Sequence, residues 1–264
     1  MKNILVPLGV SENAESTLSY AIELAAVTAS TLYVMDSFNP SFHNAHLLNA
    51  KRAVGDNNTK RIKDLVQRID HNGVAVQMVQ YEGDFLSGIN SLDQQVGLGL
   101  ILTGPLPNAD NAAVFLGPTA GKLVKKTSLP VMIVPEGFSF SLPKKVLFAF
   151  KKGKIEGDRS LAPLRFFQQN FETEIKLLMV KVPGQDRKDL QIDHEIVELS
   201  NTMISTENGT VYQGVLEYFR TVQPDLLTVF ARKRGFFAKL IESDVVLKKD
   251  FYTTTPLLVL KNRP

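Results

Sequence analysis

Cysteine is absent from the 264 residues. Its absence excludes disulfides, thiolate nucleophiles and zinc–cysteine sites. Long apolar runs are also missing. The first one, Ile4-Leu5-Val6-Pro7-Leu8, falls far below the ~18 residues that a membrane span needs. No small-residue cleavage site follows it, so a soluble, cytoplasmic protein without a membrane partner is expected. Three phosphate and acyl-transfer signatures are missing as well. The chain holds no G-x-G-x-x-G after a strand-like run, no G-x4-G-K-[ST] and no nucleophile elbow. Histidine occurs only four times.

What the chain does have is one block pattern written twice. Lys2-Asn3-Ile4-Leu5-Val6-Pro7 is echoed by Lys144-Lys145-Val146-Leu147-Phe148-Ala149, and Leu32-Tyr33-Val34-Met35 by Leu177-Leu178-Met179-Val180. Ile101-Leu102-Thr103 is echoed by Leu227-Thr228-Val229, and Pro130–Val134 by Pro256–Leu260. The offsets are 142, 145, 126 and 126 residues. A steady offset followed by a drop implies a duplicated fold whose second copy lost a segment between its second and fourth strands. The length suits two domains of roughly 120–140 residues, each with its own core. Glu136 to Pro143, with Gly137 and two serines, reads as the linker. The expected domains are therefore 1–138 and 143–264.

Charge is divided unevenly between the copies. Residues 1–142 carry 10 basic and 12 acidic side chains, whereas 143–264 carry 20 and 15, for a net +3 overall. A basic second copy could meet an anionic partner, but no polybasic tail is present, and a solvated surface accounts for the balance.

Periodicity predicts alternating strands and helices. Ile4–Leu8 suits a strand buried on both faces. Ala14, Leu18, Ala21, Ile22 and Ala25 then form one helical stripe, with Ser11 placed to cap its first turn. Thr31–Met35 is a strand. Residues 56–71 form a helix through Ile62, Leu65, Val66 and Ile69, stopped by Asn72-Gly73. Strands are expected at 74–81, 98–103 and 131–134. One helix follows Asp84, and another carries Ala120, Leu123 and Val124 after a long turn over 104–116. The second copy repeats the order: strands near 146–150, 175–182, 201–206, 226–230 and 257–260, with helices at 159–170, 212–222 and 236–249. Phe171 is expected just past the first of those helices. Only 183–198 is left for the second helix of this copy. Alternation of this kind implies right-handed crossovers and parallel sheets covered on both faces. The expected fold is α/β: two tandem, doubly wound, five-stranded sandwiches. Ligands in such sheets sit beyond the strands' carboxyl ends where the strand order reverses. That points to the turns after the first and fourth strands of each copy.

Several residues now carry a resemblance. Ile4-Leu5-Val6-Pro7 followed by Ser11-Glu12 and a helix resembles the opening of the universal stress protein family, as does Glu82-Gly83-Asp84 before a helix. The most specific element is Gly104, twelve residues, Gly117, then a helix and Pro130-Val131-Met132-Ile133-Val134. ATP-binding members of that family carry G-x2-G-x9-G-[ST] at this place. The likeness spans both copies. It implies an adenine nucleotide alpha hydrolase-like fold and a pseudo-dimer joined through the strands 130–134 and 256–260, with a further homodimer as an option. It also makes Gly104, Gly117 and Thr119 the candidate nucleotide-binding residues.

The same loop departs from the pattern it resembles. It reads Gly104-Pro105-Leu106-Pro107, nine residues, Gly117-Pro118-Thr119, so Pro107 replaces the second glycine and Pro118 the serine or threonine. Prolines donate no N–H, whereas an anion nest needs successive free amides. Pro118 suits the first position of a helix, so the helix survives. ATP-binding relatives have an aspartate after the first strand, in V-P-x-D-G-S, where this chain has Gly9. Each lost charged hydrogen bond is worth roughly 1.5–3 kcal/mol. Two or three losses would carry a micromolar site toward millimolar, a gap of about 4 kcal/mol. The second copy has Phe150-Lys151-Lys152-Gly153-Lys154 after its first strand. After its fourth come Ala231-Arg232-Lys233-Arg234-Gly235, with Glu242-Ser243 near the place of G-[ST]. The three lysines could hold an anion by charge alone, but a solvated turn is the plainer account.

The remaining candidates are weaker. His43-x-x-His46 lacks the third ligand that zinc needs. His71 suits a helix end, and His194 an exposed polar stretch. Arg232-Lys233-Arg234 beside Phe236-Phe237 resembles a basic–aromatic nucleic-acid patch, yet the phenylalanines also open an amphipathic helix with Leu240, Ile241 and Val245. The expectation is a non-catalytic stress-response protein acting through protein contacts, with no cofactor and no metal. The alternatives are an ATP-binding switch in the first copy and, more remotely, nucleic-acid binding by the second.

Overall fold

The computed structural model describes residues 1–9, 11–36, 48–81, 84–107, 110–157, 159–185, 190–200, 202–231, 245–248 and 251–261, with 48–56 described as backbone only. His43, His46, Glu82, Gly83, Arg232, Lys233, Arg234, Phe236, Phe237, Leu240, Ile241, Glu242 and Ser243 lie outside the described residues.

The first half contains β1 (Asn3–Leu8), α1 (Ala14–Thr28), β2 (Thr31–Asp36), α2 (Leu48–Arg68) and β3 (Val76–Val79). It continues with α3 (Phe85–Val96), β4 (Leu100–Thr103), β5 (Val114–Leu116), α4 (Pro118–Lys126) and β6 (Val131–Ile133). The second half contains β7 (Lys145–Phe150), α5 (Ala162–Phe171), β8 (Glu174–Lys181), α6 (His194–Val197) and β9 (Met203–Glu207). Then come α7 (Val211–Val222), β10 (Leu226–Ala231), β11 (Val246–Leu247) and β12 (Leu257–Lys261).

Ten strands form one sheet in the order β3-β2-β1-β4-β6-β12-β10-β7-β8-β9. Pairing is parallel within each half and antiparallel only at the joint between β6 and β12, where Val131 faces Val259, Met132 faces Leu258 and Ile133 faces Leu257. The two half-sheets thus mirror each other across the strands that would otherwise be bare apolar edges. Alternate residues of each strand feed two cores. Ile4, Val6 and Leu8 join one, under α1, α2 and α5, and Leu5 joins the other, under α3, α4 and α7. Burial on both faces explains why β1 reads as an unbroken apolar run. Strand order reverses between β1 and β4 in the first half and between β7 and β10 in the second.

Local details correct several expectations. Ser11 does not cap α1. The N-cap is Asn13, and the Ser11 hydroxyl donates to Asn13 Oδ1 at 2.7 Å. Helix α2 starts eight residues before the expected Asp56, because Gly55 is tolerated in a helix interior at about 1 kcal/mol. It ends at Arg68, three residues before the expected His71, whose Nε2 lies 2.7 Å from the Val66 carbonyl. Asp84 caps α3 by accepting from the Ser87 amide at 3.0 Å. Phe171 is the last residue of α5 rather than the residue beyond it, and the cap is Glu172 in the left-handed conformation, φ 53°. The helix expected at 236–249 does not extend over 245–248, where Val246–Leu247 is a strand. The supposed linker is packed: Phe138 and Phe140 stand 6.4 and 5.1 Å from the Tyr20 ring. Burial there, with the Glu23 charge second, raises the Tyr20 phenol above its ordinary pKa.

Candidate functional site

The switch point of the first half opens into a crevice of about 160 Å³, roughly half the ~300 Å³ at the lower end of small-molecule sites. Its walls are the end of β1 (Pro7, Leu8, Gly9), the start of α1 (Asn13, Thr17), the turn after β4 and the tip of α4. Gly104, Gly117 and Thr119 all line it, so the three candidate residues come together in space. What surrounds them is unlike an anion cradle.

Gly104 is a close-approach residue. A Cβ there would stand 2.8 Å from Thr17 Oγ1 and 3.0 Å from Asn13 Nδ2, so the glycine lets β4 pack against α1 rather than exposing amides. Asn13, 6% exposed, bridges the mouth. Its Nδ2 donates to the Pro105 carbonyl at 2.9 Å, while its Oδ1 accepts from Ser11. The turns after β1 and β4 are therefore tied to each other by one side chain. On the other wall, the Leu106 side chain covers Gly117: a Cβ on Gly117 would lie 3.0 Å from Leu106 Cδ1.

The loop amides are largely committed to the loop itself. Leu106 N–H donates to the Phe115 carbonyl at 3.1 Å, and the amides of Asp110 and Asn111 donate to the Pro107 carbonyl at 3.0 and 3.2 Å. Pro118 occupies the first turn of α4, which leaves the amides of Thr119 and Ala120 as the ones at that tip with no intrahelical acceptor. Among the described residues, no lysine, arginine or histidine lines the crevice, and the one ionisable side chain lining it is Asp110, an anion.

The corresponding turn of the second half is occupied by its own chain. A Cβ on Gly153 would lie 2.7 Å from the Ile192 Cα, and the Asp193 amide donates to the Gly153 carbonyl at 2.7 Å. Lys154 is ion-paired to Asp193 at 2.8 Å, and the same carboxylate accepts the Ile155 amide at 2.8 Å. The lysine turn is thus closed by the segment before α6. The shortened helix expected at 183–198 is four residues long, and His194 is exposed beside Glu198.

Asn13, Leu106, Asp110 and Phe115 were not legible as site residues. Ser11 offers the same capping chemistry two residues before Asn13, and Leu106 stands between Pro105 and Pro107 with no polar group of its own. Among the described residues no group of three His, Asp or Glu is placed to hold a metal ion. No helix among them is long and apolar enough to cross a membrane.

Residues 1–135 match the universal stress protein family. The chain belongs to that family. Among solved structures it is similar to a universal stress protein from Archaeoglobus fulgidus, at 16% identity and a TM-score of 0.66, covering 99% of this chain and 96% of that one. It is also similar to a functionally unknown protein from Pseudomonas aeruginosa, at 16% identity and a TM-score of 0.61, covering 99% and 93%. At that identity the likeness is one of fold. No curated protein matches. Membership of the universal stress protein family supports a stress-response role.

Proposed function

We propose that this universal stress protein is a non-catalytic regulator that acts through protein contacts, and that its first-half crevice has lost useful affinity for ATP. The observation that carries this reading is the wall of that crevice: Asn13 bonded across its mouth, Leu106 over Gly117, and the Asp110 carboxylate with no cationic side chain beside it among the described residues. Removing charge-assisted donors weakens a phosphate site by roughly 1.5–3 kcal/mol each. Isothermal titration with magnesium-ATP tests the reading. Binding weaker than ~1 mM, about −4 kcal/mol, is expected. Sub-millimolar affinity would overturn it.

The second reading is an ATP-responsive switch. One observation favours it: the crevice persists at the switch point, with the tip of α4 on its wall. The same titration decides between the two. Nucleic-acid binding by the basic second half has no such support, since Arg232-Lys233-Arg234 lies outside the described residues.

A further inference from the structure

The loop between β4 and α4 makes a second contact between the halves, apart from the sheet joint. Strand β5, inside that loop, pairs antiparallel with β11 of the second half: Leu116 faces Val246 and Val114 faces Leu247. Lys248 N–H extends the pairing by donating to the Ala113 carbonyl at 2.9 Å. Phe115, 2% exposed, stands at the centre. Its ring meets Phe251 at 5.6 Å and Tyr252 edge-on at 5.7 Å, and Phe251 in turn meets Tyr212 of α7 at 5.1 Å. The Tyr212 hydroxyl donates to the Tyr252 carbonyl at 3.1 Å, fixing that segment on α7.

Phe115 faces both ways. Its ring belongs to the second half's aromatic cluster, and its carbonyl accepts the Leu106 amide at 3.1 Å. Leu106 in turn lies over Gly117 and the tip of α4. We infer that the second half narrows the first-half crevice at the start of α4: the pairing of β5 with β11 and the Phe115–Phe251–Tyr252 cluster fix Phe115, Phe115 fixes Leu106, and Leu106 covers Gly117. The contact is autoinhibitory. Its consequence is reciprocal, because any anion that displaces Leu106 from Gly117 also loosens the grip of β5 on β11. Leu106 also lines a neighbouring crevice of about 80 Å³ at the junction of the halves, between Pro105, Val114, Lys248 and Tyr252. That space gives the side chain somewhere to go. This inference rests on the reading of the crevice as a weakened anion site.

The test uses the full chain and magnesium-ATP as the probe. Phe251 does not line the crevice at Gly104 and Gly117, and its ring meets Phe115 at 5.6 Å, so Phe251→Ala acts on that crevice from outside it. In this variant the amides of Leu106 and Leu116 should exchange with solvent at least tenfold faster, and the dissociation constant for magnesium-ATP should fall at least fivefold from the wild-type value. Should Phe251→Ala fail to fold, Tyr252→Ala removes a half-exposed ring of the same cluster and should move both readouts the same way by at least twofold. Leu106→Gly removes the cover directly and should match or exceed the affinity gain of Phe251→Ala. Faster exchange without tighter binding would overturn the inference, as would unchanged exchange at Leu106. Gain in Leu106→Gly alone would overturn the link to the second half while keeping the cover. Sub-millimolar binding by the wild type would instead overturn the proposed function, a separate outcome.

Discussion

In the first half, the 21-residue α2 lies over the outer strand β3. In the second, its counterpart α6 has four residues, and the outer strand β9 is thinly covered. The register makes the comparison residue by residue. Val76 pairs with Leu32 as Met203 pairs with Leu177, yet Val76 packs half-buried under α2 while Met203 is 50% exposed. The β8–β9 ladder nonetheless keeps the same parallel register. A backbone ladder satisfies its own donors and acceptors, so an outer strand outlasts the helix that once covered it. The crevices contrast in the opposite sense. The half that kept its long helix retains an open crevice whose polar groups are bonded to one another, and the half that lost it has filled the turn with Ile192 and Asp193.

The sharpest way to break this comparison is to separate the halves. Ile133, fully buried opposite Leu257, becomes an unpaired buried charge in Ile133→Lys. A loss of about 3–5 kcal/mol is expected. Scanning calorimetry should show the main transition fall by about 5–10 °C for a chain of this size, or split in two. An unchanged single transition would mean that the joint between β6 and β12 contributes little.

Glycine substitutions compare the two turns. Gly153→Ala drives a Cβ to 2.7 Å from the Ile192 backbone, whereas Gly104→Ala meets the side-chain ends of Thr17 and Asn13. Overpacking of about 1–3 kcal/mol is expected at Gly153 and a smaller loss at Gly104, where side chains can turn away. Urea midpoints measure both, and a larger loss at Gly104 would reverse the account of which turn is filled.

Asn13→Ala removes both bonds of the bridge and strands the Pro105 carbonyl. The loss should be about 1–2 kcal/mol by thermal unfolding. No loss would show that the two turns hold together without the bridge.

The smallest effect is a gain. Thr228 Oγ1 is buried with no hydrogen-bond partner among the described residues, and the matching residue of the first half is the apolar Leu102. Thr228→Val should stabilise the chain by about 1 kcal/mol, since it removes an unsatisfied hydroxyl at constant shape. A destabilised variant would point to a hydrogen bond at that site.

How far the chain could be read depended on whether the signal was local. The β1 run, the Asp84 cap and Pro118 at the first turn of α4 were all legible, because each answers to its own neighbours. The gathering of Gly104, Gly117 and Thr119 at one switch point was legible from the loop's resemblance to that of the universal stress protein family. Asn13 bonding Pro105 across 92 positions was not, nor was the seat of Phe115 among Phe251 and Tyr252. Val246–Leu247 read as the end of a helix because its apolar residues fit that period. Pairing with Val114–Leu116 decided otherwise.

By itself, the order of amino acids determined the repeated α/β pattern, the strands meant to be buried on both faces, and the replacement of amide donors by prolines in the loop after β4. Those properties follow from residue type and from periods of two and 3.6, which act within a few residues. Only the tertiary structure decided that the halves share one sheet through an antiparallel joint, that Leu106 caps the helix tip, and that Phe115 is gripped by the other half. Such contacts depend on where distant segments meet, and that is set by the packing of the whole sheet rather than by any stretch of it.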